Sequence, residues 1–193
     1  MSSLTRTSQT DPLRIATLTI GARGGAIGVT FAPGKRQAAA MTGIWERDLA
    51  ADLATILQWG ARDIITLLEP HEFGELAIQE LPTQAHALGL RWHGLPITDG
   101  EAPDHRFLDR WTTLGAQLVR EINAGARVVV HCKGGLGRAG TVACLLLLDS
   151  GAAPNAENAM RQVRAVRRGA IETSAQEAFL RAWPLPSFGA NIS

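Results

Sequence analysis

The stretch His131-Cys132-Lys133-Gly134-Gly135-Leu136-Gly137-Arg138-Ala139-Gly140-Thr141 joins an apolar β-type run, Val128-Val129-Val130, to an apolar helical run over 142–148. A strand that passes through a glycine-rich turn directly into a helix is the core of an α/β unit. Ligands of such units bind beyond the carboxyl ends of the strands, where Cys132 stands. Four needs of phosphate chemistry converge there. A phosphate dianion requires several donors at once, and successive backbone N–H groups of a tight loop at a helix N-terminus supply them. Gly134, Gly135 and Gly137 permit the backbone angles and the close approach this demands, and Leu136 adds its own amide. Arg138 can grip two phosphate oxygens through its planar fork. Cys132 opens the loop in a setting that favours a thiolate, and a thiolate attacking phosphorus splits hydrolysis into two steps through a phosphocysteine. Lys133 is read either as a point charge on the phosphate or as a solvated side chain.

Outward from this stretch, strand and helix patterns alternate. Residues 14–20 and 26–31 read as two short strands, with 21–25 as their turn. Residues 46–59 carry Leu49, Leu53, Ile56 and Leu57 at helical spacing, and Gly60 stops the helix. Residues 64–68 form a continuous apolar run, as a strand buried on both faces should. Short helices follow over 72–79 and 82–88, then a strand over 90–97, a turn-rich loop over 98–104 and a long helix over 104–123. Beyond the strand at 127–131 come the glycine loop and its helix to residue 150. A helix opened by Pro154 runs through Val166, and one capped by Ser174 runs to Ala182. This order predicts an α/β three-layer sandwich with a central, mostly parallel sheet flanked by helices. It is read as one domain over 13–186, with a frayed N-terminal tail over 1–12 and a C-terminal tail over 187–193.

Composition narrows the function classes. A chain of 193 residues with 46% apolar content fits one globular domain. A formal net charge of +1 gives no global pull toward nucleic acid or a membrane surface. No signal-peptide core or membrane-length apolar run is evident. The two cysteines, Cys132 and Cys144, are poorly placed to bridge, which points to a reduced, cytoplasmic setting. Cys144 sits in an apolar helix and reads as a core residue. His71, His86, His93 and His105 show no metal-ligand spacing, so neither a metal nor an organic cofactor is expected. Oligomeric state is not legible.

Two rival readings of the loop are weaker. Gly135-Leu136-Gly137-Arg138-Ala139-Gly140 is formally a dinucleotide fingerprint, but the acidic residue due about 20 positions on is missing from a following strand. A nucleotide-triphosphate loop needs Gly-Lys-Ser/Thr, whereas Gly140 is followed directly by Thr141. For a leaving oxygen that needs a proton, Asp99 is the first candidate, in a loop flanked by Gly100 and Pro103 that could close over substrate. Asp104 competes, with an N-cap of the long helix as its structural alternative. Arg161, Arg164 and Arg168 share one helix face in a basic run with Arg167, read as a solvated face or as a docking site for an acidic partner.

His131-Cys132-x-x-Gly135-x-x-Arg138 resembles the active-site signature of the cysteine-dependent protein phosphatases. Gly28-Val29-Thr30-Phe31-Ala32-Pro33-Gly34-Lys35, Asp63-Ile64-Ile65, Leu95-Pro96-Ile97-Thr98-Asp99-Gly100-Glu101-Ala102-Pro103-Asp104 and Gly169-Ala170-Ile171-Glu172-Thr173 are similar to the dual-specificity phosphatases associated with cyclin-dependent kinases. The resemblance implies hydrolysis of phosphate monoesters, of a phosphoprotein or a small phosphate ester, with Cys132 as nucleophile and Arg138 as phosphate ligand. It places the general acid at Asp99, in an Asp-Gly-x-x-Pro loop, and gives His131 a supporting role behind the cysteine. Two positions depart from the pattern. Ala139 stands where a hydroxyl usually assists departure of the cysteine. Classical tyrosine phosphatases carry a Gln-Thr-x-x-x-Gln segment whose first glutamine positions the hydrolytic water; here Glu172 takes that first place and Gln176 is read as the later glutamine. Both departures concern breakdown of the phosphocysteine, and a weakly catalytic phosphopeptide-binding module is the alternative they keep open.

Overall fold

A computed structural model describes residues 5–40 and 43–185, with nothing to say of the Ala39 side chain. The tail expected over 187–193 lies outside these residues. A hairpin of β2 (Ala16–Ile20) and β3 (Gly25–Phe31) starts the main sheet. After helix α1 (Leu49–Gln58) comes β6 (Asp63–Thr66), preceded in the chain by the short strands β4 (Arg36–Ala40) and β5 (Gly43–Glu46). Helices α2 (Pro70–Glu75) and α3 (Leu81–Ala87) lead to β7 (Arg91–Gly94), and α4 (His105–Asn123) leads to β8 (Arg127–Cys132). Helices α5 (Gly137–Asp149), α6 (Ala156–Val166) and α7 (Ser174–Arg181) complete the chain.

The central sheet has the order β2-β3-β8-β6-β7, parallel except for the antiparallel edge strand β2. It is sandwiched, as its near-continuous apolar strands require. In β8, Val128 and Val130 face a core shared with α4, α5, α6 and α7, while Val129 faces α1 and α3. Helix α5 is buried all round, from Gly137 to Leu148, because sheet, α4, α6 and α7 enclose it. Each of its fully buried leucines contributes about 1.5–3 kcal/mol of apolar transfer, which anchors the helix that opens with the glycine loop.

The periodicity marked the main elements, with boundaries differing by a few residues. The last helix is capped by Thr173, whose side chain accepts from the Gln176 amide, rather than by Ser174. Helix α6 is capped by Asn155, one residue beyond Pro154. The larger difference is a second, three-stranded sheet in the order β1 (Thr5–Arg6), β5, β4, which no period-two pattern announced. Strand β1 pairs parallel with β5, within the stretch read as a frayed tail. The buried Arg47 guanidinium explains the order there. It donates to the carbonyls of Thr7 at 3.3 Å and Asp11 at 2.7 Å, and forks onto Asp52 at 2.8 Å. Among the described residues, no helix is long and apolar enough to cross a membrane.

Candidate active site

Cys132 ends β8, and its side chain lies at the base of the loop that follows. The Gly135 N–H donates to Cys132 Sγ at 3.2 Å. Gly135 adopts φ +68°, and a Cβ there would sit 2.4 Å from the carbonyl carbon and oxygen of Thr30, so glycine alone fits. The outside of the loop is tied down by Arg167, which donates to Gly135 O at 2.9 Å and Gly134 O at 3.0 Å. Two of the loop amides already have acceptors, Gly135 on Cys132 Sγ and Gly137 on Glu172.

Arg138, in the first turn of α5, is 1% exposed. Its two terminal nitrogens donate to Glu72 at 2.6 and 2.9 Å, and one also reaches the carbonyls of Leu67 and Ile97 at 3.3 and 3.1 Å. Burial opposes the charge of each partner, and the pairing outweighs it, so the Glu72 carboxyl is held low and the Arg138 guanidinium high. Arg138 Nε has no hydrogen-bond partner among the described residues. A buried donor of this kind demands an acceptor, and an anion in the loop would provide one. Asp99 Oδ1 lies 3.1 Å from the second terminal nitrogen of Arg138, on a side chain that is 71% exposed. Asp99 is thus at the rim, against the same guanidinium that anchors the floor.

The acid loop is braced on both sides. Thr173 Oγ1 donates to Gly100 O at 2.9 Å, and the buried Gln176 donates to Glu101 O at 3.3 Å while accepting from the Glu172 amide at 2.9 Å. Gln176 therefore links the acid loop to the 172–173 turn. Counted strictly, the later glutamine position of the family pattern falls on Glu177, which pairs with Arg164 and Arg181 at the surface. Asp104 takes the structural alternative, accepting from the Arg106 amide at 2.9 Å as the N-cap of α4.

His131 is fully buried, its Nε2 2.7 Å from Thr66 Oγ1, and burial pushes its pKa down to about 4. A neutral imidazole thus ties the end of β8 to β6. Lys133 pairs with Glu75 at 3.3 Å on the rim. Glu172 Oε2 accepts from the Gly137 N–H at 2.8 Å, which places a carboxylate at the N-terminus of α5. Thr141 is no substitute for the hydroxyl absent at Ala139, since its Oγ1 donates back to Gly137 O at 2.8 Å. Cys144 is buried in the core, its thiol pushed up to about 12 by burial.

Three site residues escaped the sequence reading. Glu72 was visible only as half of a Glu69/Glu72 capping box at the start of α2. Arg167 was grouped with a surface run, yet it is the C-cap of α6 and turns back to the loop. Lys35 is 5% exposed with Nζ 3.9 Å from the Trp45 ring centroid, and no local signal marks it.

The chain is similar to known phosphatases. Mouse cyclin-dependent kinase inhibitor 3 is 29% identical over 136 residues, covering 69% of this chain and 62% of its own length. The chain thus spans less than two thirds of that relative. Mouse protein tyrosine phosphatase type IVA 2 is 37% identical over 78 residues, covering 40% of this chain and 45% of its own. A solved structure of kinase associated phosphatase, with its catalytic site cysteine substituted by serine, superposes with TM-score 0.72 and 25% identity, covering 88% of this chain and 92% of that one. The family model of the Swiss Army Knife protein DSP-PTPase phosphatase domain (PTP-SAK) matches residues 39–180, from the small sheet through the acid and cysteine loops to α7. On that match this chain belongs to the PTP-SAK family of DSP-PTPase phosphatase domains.

Proposed function

We propose that this protein is a cysteine-dependent phosphatase that hydrolyses phosphate monoesters through a phosphocysteine. The observation that carries the reading is Arg138, one buried guanidinium clamped by Glu72, touched by Asp99 and left with an unpartnered Nε beside the Cys132 loop. In the first step the Cys132 thiolate attacks phosphorus, the P–O bond to the leaving group breaks, and Asp99 delivers its proton to the departing oxygen. Arg138 and the loop amides of 133–136 hold the phosphoryl oxygens as charge shifts to them, the Gly137 amide being bonded to Glu172. In the second step Asp99 takes a proton from water as that water attacks phosphorus, and the S–P bond breaks to return the thiolate and inorganic phosphate. His131, Gln176 and Glu72 act as positioning residues. The likeness to cyclin-dependent kinase inhibitor 3 and to kinase associated phosphatase favours a phosphoprotein substrate; we take its scope as dual, serine/threonine and tyrosine, and its setting as the cytoplasm. A small phosphate ester is the second reading, favoured by the walled basic cavity beside the loop.

Purified protein is assayed on p-nitrophenyl phosphate and a panel of phosphopeptides, with Cys132→Ser and Asp99→Asn as controls. Phosphate release is expected to vanish in the first variant and to drop roughly 10²–10⁴-fold in the second. A wild type that binds phosphopeptide yet releases no phosphate from any substrate overturns the proposal in favour of a phosphopeptide-binding module.

A further inference from the structure

A cavity of about 390 Å³ shares Gly134 and Leu136 with the phosphate loop. Its walls carry four cations, Arg6, Arg14, Lys35 and Arg167, against one acid, Asp11. Among the described residues, none of the four cationic groups has a carboxylate within ion-pair distance. Lys35 is the most constrained. Its Nζ lies beside the edge-to-face pair of Trp45 and Phe31, 3.9 and 5.1 Å from their centroids, and donates to Lys133 O at 3.5 Å. Burial brings its pKa down to about 8, with Cys132 opposing the shift and Arg47, Arg167 and Lys133 adding to it. Gathering like charges around a buried ammonium is unfavourable unless an anion offsets it.

The cavity is a built feature. The buried Arg47–Asp52 pair fixes two of its walls at once. Asp52 accepts from the Gly34 N–H at 2.8 Å, setting the turn that presents Lys35, and Arg47 holds the Thr7 and Asp11 carbonyls of the segment that presents Arg6 and Arg14. The order of the N-terminal segment, unexpected from sequence, is what closes this side of the cavity.

We infer that this cavity is a second anion subsite, which receives another phosphoryl group of a compact polyol-type substrate whose scissile phosphate lies in the Cys132 loop. The assignment rests on the phosphatase reading above, because it takes the loop as the place of the first phosphate. A volume in the range of small-ligand sites, aromatic walls and a few convergent cations suit a ring-sized body better than an extended chain. Two phosphoryl groups on one molecule would engage both cation sets, and charge-assisted bonds from arginine and lysine are the strong ones.

The test uses matched pairs of probes: fructose 6-phosphate with fructose 1,6-bisphosphate, myo-inositol 1-phosphate with myo-inositol 1,4-bisphosphate, and a Thr-Xaa-phosphotyrosine peptide with its doubly phosphorylated form. Binding to the Cys132→Ser protein is measured by calorimetry, and turnover of the wild type by phosphate release. At least one small bisphosphate is expected to bind roughly 10–100-fold tighter than its monophosphate, the equivalent of one charge-assisted hydrogen bond. The Arg6→Ala/Arg14→Ala variant should lose that preference while its kcat/KM on p-nitrophenyl phosphate is unchanged. Equal affinities within both small-molecule pairs, or a preference that survives the double variant, overturn the subsite. A preference confined to the doubly phosphorylated peptide overturns the polyol assignment. A wild type that hydrolyses nothing, with the bisphosphate preference intact in the Cys132→Ser protein, defeats the phosphatase reading and supports the subsite as a binding site.

Discussion

Replacing Glu72 by glutamine isolates what holds the arginine of the loop. The pair is nearly sealed, with Arg138 1% and Glu72 3% exposed, and it closes through two bonds of 2.6 and 2.9 Å. Removing one partner of a buried ion pair costs about 3–5 kcal/mol, because the other charge is left in low dielectric. Here the carbonyls of Leu67 and Ile97, Asp99 and the glutamine oxygen itself remain as acceptors, which puts Glu72→Gln near 3 kcal/mol. Glu72→Ala, which strips the fork, belongs near 5 kcal/mol. Against a domain stability of about 5–15 kcal/mol both are large. Urea unfolding followed by the fluorescence of the five tryptophans reads the loss directly. Activity should fall with it, by about 10²-fold in kcat/KM on p-nitrophenyl phosphate, since Arg138 is no longer held where the phosphoryl oxygens arrive. The double variant Glu72→Met/Arg138→Met separates the two effects, because an apolar replacement of the whole pair restores stability without restoring activity. A Glu72→Gln protein within about 0.5 kcal/mol of the wild type would refute the buried-clamp reasoning, since that is the range of an ordinary surface substitution.

Three further outcomes are expected. His131 has its pKa lowered by burial from 6.5 to about 4, so between those pH values the unfolded chain takes a proton that the folded one refuses. Stability should therefore fall as pH drops from 6.5 toward 4, by up to about 3 kcal/mol, and His131→Asn should flatten that slope; parallel slopes in denaturation at pH 5 to 6.5 rule this out. Gly135→Ala forces a Cβ to 2.4 Å from the Thr30 carbonyl at a φ of +68°, and should lose at least about 2 kcal/mol and most activity, read by thermal melting and kinetics. If the proposed phosphocysteine forms normally and the departures at Ala139 and Glu172 slow its breakdown, rapid-quench kinetics on p-nitrophenyl phosphate should show a burst near one equivalent per site. Ala139→Ser should shrink the burst and raise the steady rate about tenfold, the equivalent of one hydrogen bond; a wild type with no burst, its two steps balanced, contradicts it.

The chain's own letters determined much of the architecture and the centre of the site. Strand β8, its loop and helix α5 are contiguous, so local periodicity and glycine placement sufficed to put Cys132 and Arg138 around one phosphate-sized turn. The helical spacing of α1 and α4 and the doubly buried run of β6 were equally local, and they implied the layered parallel sheet. Asp99 could be singled out as a candidate because an acid in a turn-rich loop after a strand is a local pattern too, and the fold sets it 3.1 Å from Arg138. What only the tertiary structure decided are the contacts between distant segments. Glu72 meets Arg138 across 66 positions, Lys35 meets the Lys133 carbonyl across 98, and Arg167 meets Gly135 across 32. None of these has a period or a spacing, because a charge inside a fold is placed by the backbone that carries it and not by its neighbours in sequence. The small β1-β5-β4 sheet was hidden for a related reason. Its strands are two to five residues long, too short to show alternation, and the buried Arg47 beside them ties the N-terminal segment down. The cysteine loop was thus written in the sequence, while the cations and carboxylates that surround it were assembled by the fold.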